Sequence, residues 1–156
     1  MKITITSGVG VGKTPLAAFD TALLDAGVGN YNLLSLSSVI PPKSTLSCNK
    51  HVAPEGEYGH RLYVVISSQA ANEPGQEAWA GLGWVQDEEQ KGLFVELHGD
   101  SELQVRQNIN DTLETMVANR NYCYGPIQQK VAGIRCTDQP ACAVVIAVYE
   151  SQQWTQ

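Results

Sequence analysis

Apolar and polar residues alternate along this chain in patterns that predict strands, two amphipathic helices and one stretch that fits neither. Lys2-Ile3-Thr4-Ile5-Thr6-Ser7 alternates at period two and predicts a first strand over 2–7. From Pro15 to Ala26 the period changes. Leu16, Phe19, Leu23 and Ala26 recur at helical spacing, with Thr14 at the N-cap position, Pro15 at the first helical position and Gly27 just past the end. Tyr31 to Leu36 predicts a second strand, and Leu62 to Ser67, rich in β-branched and aromatic residues, a third. Glu77 to Val85 alternates small and large side chains and contains Gly81 and Gly83, which favours a strand over a helix; Gly92 to Gly99 returns from it as a hairpin. Ser101 to Ala118 predicts a second helix, with Val105, Ile109, Leu113, Met116 and Val117 on one stripe. Cys142 to Tyr149 is almost continuously apolar and predicts a last strand buried on both faces. Lys43 to Gly59 is polar and reads as a loop holding at most one short strand.

Between the first strand and the first helix lies Gly8-Val9-Gly10-Val11-Gly12-Lys13-Thr14. It invites a phosphate-loop reading, but Ser7 stands where that motif needs its first glycine, and Pro15 follows Thr14 directly. The plainer expectation is a flexible loop ahead of the helix, with no nucleotide bound.

Composition narrows the function classes. With 43% hydrophobic and 17% charged residues the 156-residue chain is globular, long enough for a sizeable core and suited to one domain. A formal charge of -6 with ten scattered basic residues argues against nucleic acid and suits a small cationic ligand. No apolar run is long enough to cross a membrane or form an export signal. The cysteines, Cys48, Cys123, Cys136 and Cys142, form no C-x-x-C motif and have no paired histidines, so free thiols, a cytoplasmic location and no metal are expected. His51 and His60 read as exposed loop residues.

The stretch that fits neither pattern is Leu36-Ser37-Ser38-Val39-Ile40-Pro41-Pro42. Pro41 and Pro42 each lack an N–H, and Pro41 holds Ile40 extended. The backbone here is stiff and poor in ladder hydrogen bonds on one side. There is no Gly-x-Ser-x-Gly elbow and no metal-ligand spacing, so the serine pair itself is the candidate chemistry. The Ser38 hydroxyl can attack the Ser37 carbonyl and shift the chain from amide to ester. The step is intramolecular, and well-held groups of this kind reach effective molarities of about 10⁵ M. A donor such as the Asn32 side chain can stabilise the developing oxyanion. β-Elimination then frees the Ser37 carboxylate and leaves dehydroalanine, whose hydrolysis gives a pyruvoyl group. That ketone forms a Schiff base with an amine and serves as an electron sink without any other cofactor. Three further polar residues stand out: Asp20 flanking the apolar stripe of the first helix, Asn32 in a strand, and Glu96 on the face of the 92–99 strand shared with Phe94 and His98. For Asp20 and Glu96 the plainer reading is solvent exposure.

Thr14-Pro15-Leu16-Ala17-Ala18-Phe19-Asp20, Ala26-Gly27-Val28-Gly29-Asn30-Tyr31-Asn32-Leu33 and Leu36-Ser37-Ser38-Val39-Ile40-Pro41-Pro42, in this order and spacing, resemble the pyruvoyl-dependent arginine decarboxylase family. The resemblance is dense over 13–42 and traceable through Glu73-Pro74-Gly75 and the 92–99 strand. It implies an α+β fold, a four-layer αββα sandwich with mixed and antiparallel sheets. It implies one domain over 1–156, cleaved into a small chain (1–37) and a large pyruvoyl-bearing chain (38–156). It implies a homotrimer, or a dimer of such trimers, with active sites between subunits. Ser37 would end the small chain and Ser38 would become the pyruvoyl group. Asp20 would pair with the substrate guanidinium. Leu16, Gly29 and Tyr31 would line the pocket through backbone contacts, Asn32 would assist processing or position the substrate, and Glu96 would donate a proton after CO₂ leaves. Tyr31 and His98 depart from the family pattern, which bears on substrate fit rather than reaction type. The implied activity is decarboxylation of L-arginine to agmatine. Two alternatives stay open: the same mechanism on another amino acid such as histidine, or a non-processing homologue serving as a structural or binding subunit.

Overall fold

The computed structural model describes residues 1–156. It is a mixed α/β structure in which two sheets face one another. The first sheet has the strand order β2-β5-β9-β1-β4: β2 is Asn32–Ser35, β5 Arg61–Ala71, β9 Ala141–Gln152, β1 Lys2–Val11 and β4 Thr45–Cys48. The second has the order β3-β7-β6-β8: β3 is Val39–Ile40, β7 Gly92–Gly99, β6 Glu77–Gln86 and β8 Gln128–Arg135. Only β1–β4 and β2–β5 are parallel pairs.

Apolar residues fill three clusters. Ile3, Ile5, Val65 and Val145 of the first sheet meet Ala80, Leu82, Trp84 and Phe94 of the second. Helix α1, Pro15–Asp25, lays Ala18, Ala22 and Leu23 against Leu62, Val144 and Ile146 on the other face of the first sheet. Helix α2, Glu102–Ala118, lays Val105, Ile109 and Leu113 against Val85, Leu93 and Val95 of the second sheet. Strand β9 sends Val144 and Ile146 one way and Val145 and Ala147 the other, which is why its run is apolar without interruption.

The glycine run does not form a loop. Strand β1 continues to Val11, and Gly8 and Gly10 pair with Val144 and Cys142. A Cβ on Gly10 would lie 2.5 Å from Ala22 N and 2.8 Å from Ala18 O, and one on Gly8 would lie 2.2 Å from Ala22 O. Helix α1 therefore rests its alanines directly on bare backbone. This contact runs beside the stripe the large residues suggest: Leu23 and Ala26 are buried with the alanines and Phe19 packs against them, while Leu16 is left 75% exposed. Gly10→Ala is expected to cost about 3 kcal/mol, the upper end of overpacking, because the obstacle is backbone that cannot rotate away. A thermal melt should show the midpoint fall by roughly 5–10 °C; an unchanged midpoint would contradict the close packing.

The caps of α1 follow the sequence. Thr14 Oγ1 accepts from Ala17 N at 3.2 Å, and Gly27 takes φ +85° just past the helix. In α2, Ser101 is the N-cap. Strands β3 and β8 lie beyond the predicted set, and the one short strand allowed for in 43–59 is present. The 43–59 segment contains β4, which adds to the edge of the first sheet beside β1. Strand β8 opens with polar residues and is interrupted by Gly133, which pairs with Trp79 and lets the indole lie flat on its backbone.

Candidate functional site

Strand β3 is the edge of the second sheet and pairs antiparallel with β7 only, Val39 opposite Leu93 and Ile40 opposite Gly92. Pro41 ends it, and Ser44 Oγ donates to the Pro41 carbonyl at 2.6 Å. This pairing sets the position of the serines. The Phe94 N–H donates to the Ser38 carbonyl at 2.8 Å, continuing the ladder one residue toward the serine pair. On β7, Phe94 points into the core and Glu96, two residues on, reaches solvent at the rim of the same face. The Ser38 hydroxyl donates to Glu96 Oε2 at 2.6 Å. Two residues 58 positions apart, singled out separately from the sequence, thus form one hydrogen-bonded pair.

The backbone around Ser38 is itself arranged. Val39 N–H donates to the Ser37 carbonyl at 2.8 Å, closing a three-residue turn centred on Ser38. Ser38 is not among the residues with positive φ, so this is the inverse form that commonly ends a strand. The Tyr149 hydroxyl donates to the Val39 carbonyl at 2.9 Å, and its ring stands edge-on to Phe94 with centroids 6.3 Å apart. Burial first, and the Glu96 carboxylate second, push the Tyr149 pKa up to about 12. It is a neutral donor at any working pH. Sequence reasoning missed Tyr149; the available signal was a hydroxyl-bearing ring at the end of an aliphatic run, where a polar tip needs a partner.

The remaining predicted residues lie elsewhere in the protomer. Asn32 opens β2, and its Nδ2 donates to the Gly59 carbonyl at 2.8 Å rather than to the Ser37 carbonyl. The Tyr31 hydroxyl donates to Glu57 Oε2 at 2.5 Å, and Ser151 Oγ donates to the other Glu57 oxygen at 2.9 Å. The Tyr31 hydrogen bond holds the Glu57 carboxyl below its ordinary range, while burial and Glu57 push the Tyr31 phenol up. Gly29 sits beneath Leu24, where a Cβ would lie 2.5 Å from Leu24 Cδ2. Leu16 and Asp20 are on the exposed side of α1, and Asp20 makes no ion pair. Two groups result: Ser38, Glu96 and Tyr149 at the rim between the sheets, and Leu16, Asp20, Gly29, Tyr31 and Asn32 along α1 and the start of β2. No hydrogen bond or ion pair joins Asp20 to Ser38 or Glu96 within one chain.

Other candidate features separate from this site. Gly8 and Gly10 are paired with β9, Val9 N–H donates to Asp25 Oδ2 at 2.9 Å and Gly12 N–H to Pro140 O at 3.1 Å, so the segment offers no cradle for phosphate. All four cysteines are free. His51 is not an exposed loop residue: its Nε2 is buried without a partner, burial lowers its pKa, and its ring meets Tyr31 edge-on at 5.9 Å. It borders a cleft of about 370 Å³ floored by Thr4, Leu62 and Val148. That cleft contains neither Ser38 nor Glu96.

Comparison with known proteins bears on the serine pair. A family model described as pyruvoyl-dependent arginine decarboxylase matches residues 2–153. A protein of that name from Thermococcus kodakarensis is 33% identical over 139 residues, covering 88% of this chain and 87% of the relative. One from Nitrosopumilus maritimus is 31% identical over 122 residues, covering 76% and 67%. One from Halobacterium salinarum is 44% identical over 95 residues, which is 61% of this chain and 59% of that relative's length. The match runs from the first residues of β1 into the end of β9 and takes in both the Ser38–Glu96 pair and the α1 face that carries Asp20. A match of that extent leaves one assignment: the chain belongs to the pyruvoyl-dependent arginine decarboxylase family.

Proposed function

We propose that this chain cleaves itself between Ser37 and Ser38, that position 38 becomes a pyruvoyl group, and that the enzyme so formed decarboxylates L-arginine to agmatine and CO₂. The observation that carries this is the 2.6 Å hydrogen bond from Ser38 Oγ to Glu96 in a chain of this family. A serine hydroxyl needs a base to become a nucleophile, and a carboxylate already accepting its proton is that base. Cleavage gives chains 1–37 and 38–156.

The residues around position 38 suit a pyruvoyl group. Phe94 N–H holds the residue-38 carbonyl, and Glu96 stands beside the side-chain position. The group supplies a ketone that withdraws electrons from a bound amino acid as its carboxylate departs. Glu96, at the rim, is placed to hold and return a proton at the substrate carbon. Asp20, exposed and unpaired, offers a carboxylate to a planar guanidinium. Leu16, Gly29, Tyr31 and Asn32 lie along the same α1–β2 face.

Because the Asp20 group and the Ser38 group are unconnected within one chain, the reading includes a homotrimer, alone or paired, with each site completed by a neighbouring subunit. It also includes the four-layer αββα arrangement, which the order α1, first sheet, second sheet, α2 supports. No helix is long and apolar enough to cross a membrane, and a cytoplasmic location belongs to the same reading.

Asp20→Ala tests the substrate end. Cleavage should proceed to completion, while kcat/KM for arginine falls roughly 100-fold, the worth of two charge-assisted hydrogen bonds. Product chromatography with arginine and histidine as competing substrates reads the preference. An unchanged KM for arginine would place guanidinium recognition elsewhere.

A further inference from the structure

We infer that the backbone N–H of Val39 is the donor that stabilises the oxyanion when Ser38 attacks Ser37, and that Tyr149 is the positioning residue that holds this N–H in place. The inference rests on the proposed self-cleavage and goes beyond it by assigning two groups to the step.

The carbonyl under attack is that of Ser37. In the intact chain its oxygen already accepts a hydrogen bond, and the donor is Val39 N–H at 2.8 Å. The side chain expected in this role from the sequence, Asn32, is engaged 2.8 Å from the Gly59 carbonyl. A backbone amide has the preorganisation the task needs: it is neutral, stiff and aimed before the reaction begins. What aims it is visible on the neighbouring atoms. The peptide group between Ser38 and Val39 is held at its carbonyl by Phe94 N–H at 2.8 Å. The next carbonyl, that of Val39, accepts from the Tyr149 hydroxyl at 2.9 Å. Tyr149 is anchored in turn by its ring, packed edge-on to buried Phe94. The clamp acts on an edge strand only two residues long, which Pro41 ends and which has a ladder neighbour on one side alone. The Phe94 bond and the pairing with Leu93 fix Val39 from the ladder side, and the Tyr149 contact fixes it from the open side.

The step balances without any added reagent. Ser38 Oγ forms a bond to the Ser37 carbonyl carbon as its proton passes to Glu96. The negative charge moves to the Ser37 oxygen, where Val39 N–H meets it. Collapse breaks the bond between Ser37 C and Ser38 N, and the proton held by Glu96 moves to that nitrogen. The product is an ester with a free amine, isomeric with the starting chain.

The test follows freshly purified uncleaved chain by intact mass over time, with hydroxylamine added to aliquots to split any ester. Three proteins are compared: wild type, Tyr149→Phe, and a chain in which Val39 is replaced by its α-hydroxy analogue, which removes the N–H and keeps the side chain. Removing the donor should slow cleavage about 100-fold or more. Tyr149→Phe, which keeps the ring and loses the hydroxyl, should slow it about 10-fold or more. In Tyr149→Phe the hydroxylamine-sensitive fraction should stay low, because the block precedes the ester; in the α-hydroxy chain, whose own 38–39 ester hydroxylamine also splits, the fragment masses should show a break after residue 38 and none after residue 37. Cleavage of folded Tyr149→Phe at the wild-type rate would overturn the positioning role. Accumulation of ester would overturn the assignment to the acyl shift. If Tyr149→Phe shows no cooperative melt, the α-hydroxy chain alone decides: a wild-type rate there overturns the oxyanion assignment. A wild-type chain that never cleaves would instead remove the self-cleavage reading beneath both.

Discussion

Ser38→Ala is expected to yield a folded, uncleaved chain with no detectable decarboxylation. The substitution removes one hydroxyl at a partly exposed edge and its bond to an exposed carboxylate. The stability change should therefore stay within about 1 kcal/mol, in keeping with a partly exposed hydrogen bond. The chemical consequence is of another order. Without the oxygen no ester can form, the bond after Ser37 stays intact, and no ketone arises at position 38. Because the electron sink is missing altogether, the loss is not a slower reaction but the absence of one. A denaturing gel and an assay for CO₂ release check both halves. Wild-type turnover by the variant would mean that the reactive carbonyl lies elsewhere.

Glu96→Gln separates the carboxylate's chemistry from its shape. Glutamine is isosteric and its Oε1 can still accept the Ser38 hydroxyl, so the local geometry should survive. It is not a base at any working pH. Removing one positioned acid or base costs roughly 10²–10⁴-fold. Cleavage should slow by a factor in that range. Turnover by whatever fraction matures, normalised to reactive carbonyl, should fall by a similar factor, since the same side chain is asked to return a proton at the substrate carbon. Fast cleavage with normal turnover would reduce the 2.6 Å contact to a structural hydrogen bond.

Much of this was legible in the chain, and the exceptions have physical causes. The 15–26 helix, the 77–99 hairpin and the second helix announced themselves through period and caps. Serine followed by two prolines marked the unusual backbone, and the structure adds that its extended residues pair on one side only. The glycine run misled because glycine serves two ends. It permits a loop through φ freedom and permits close packing through its missing side chain, and periodicity cannot tell them apart. Here packing wins, since the helix above carries alanines at Ala18 and Ala22. The predicted stripe of α1 holds at Phe19, Leu23 and Ala26 and fails at Leu16, because the helix turns Ala18 and Ala22 onto the bare backbone of β1. Strand β8 stayed hidden because Gly133 and the polar residues at its start erase the alternation. Tyr149 could not be assigned from sequence because its partner is a backbone carbonyl 110 residues away. The separation of Asp20 from Ser38 was likewise invisible, being a property of the fold rather than of spacing.

Intact-mass measurement of catalytically active protein decides most directly whether a serine in this chain makes its own prosthetic group. The account predicts two polypeptides, residues 1–37 and residues 38–156, the larger blocked at its N-terminus and reactive toward a hydrazine that also abolishes turnover. A single unbroken chain of 156 residues, fully active and indifferent to that reagent, would contradict it.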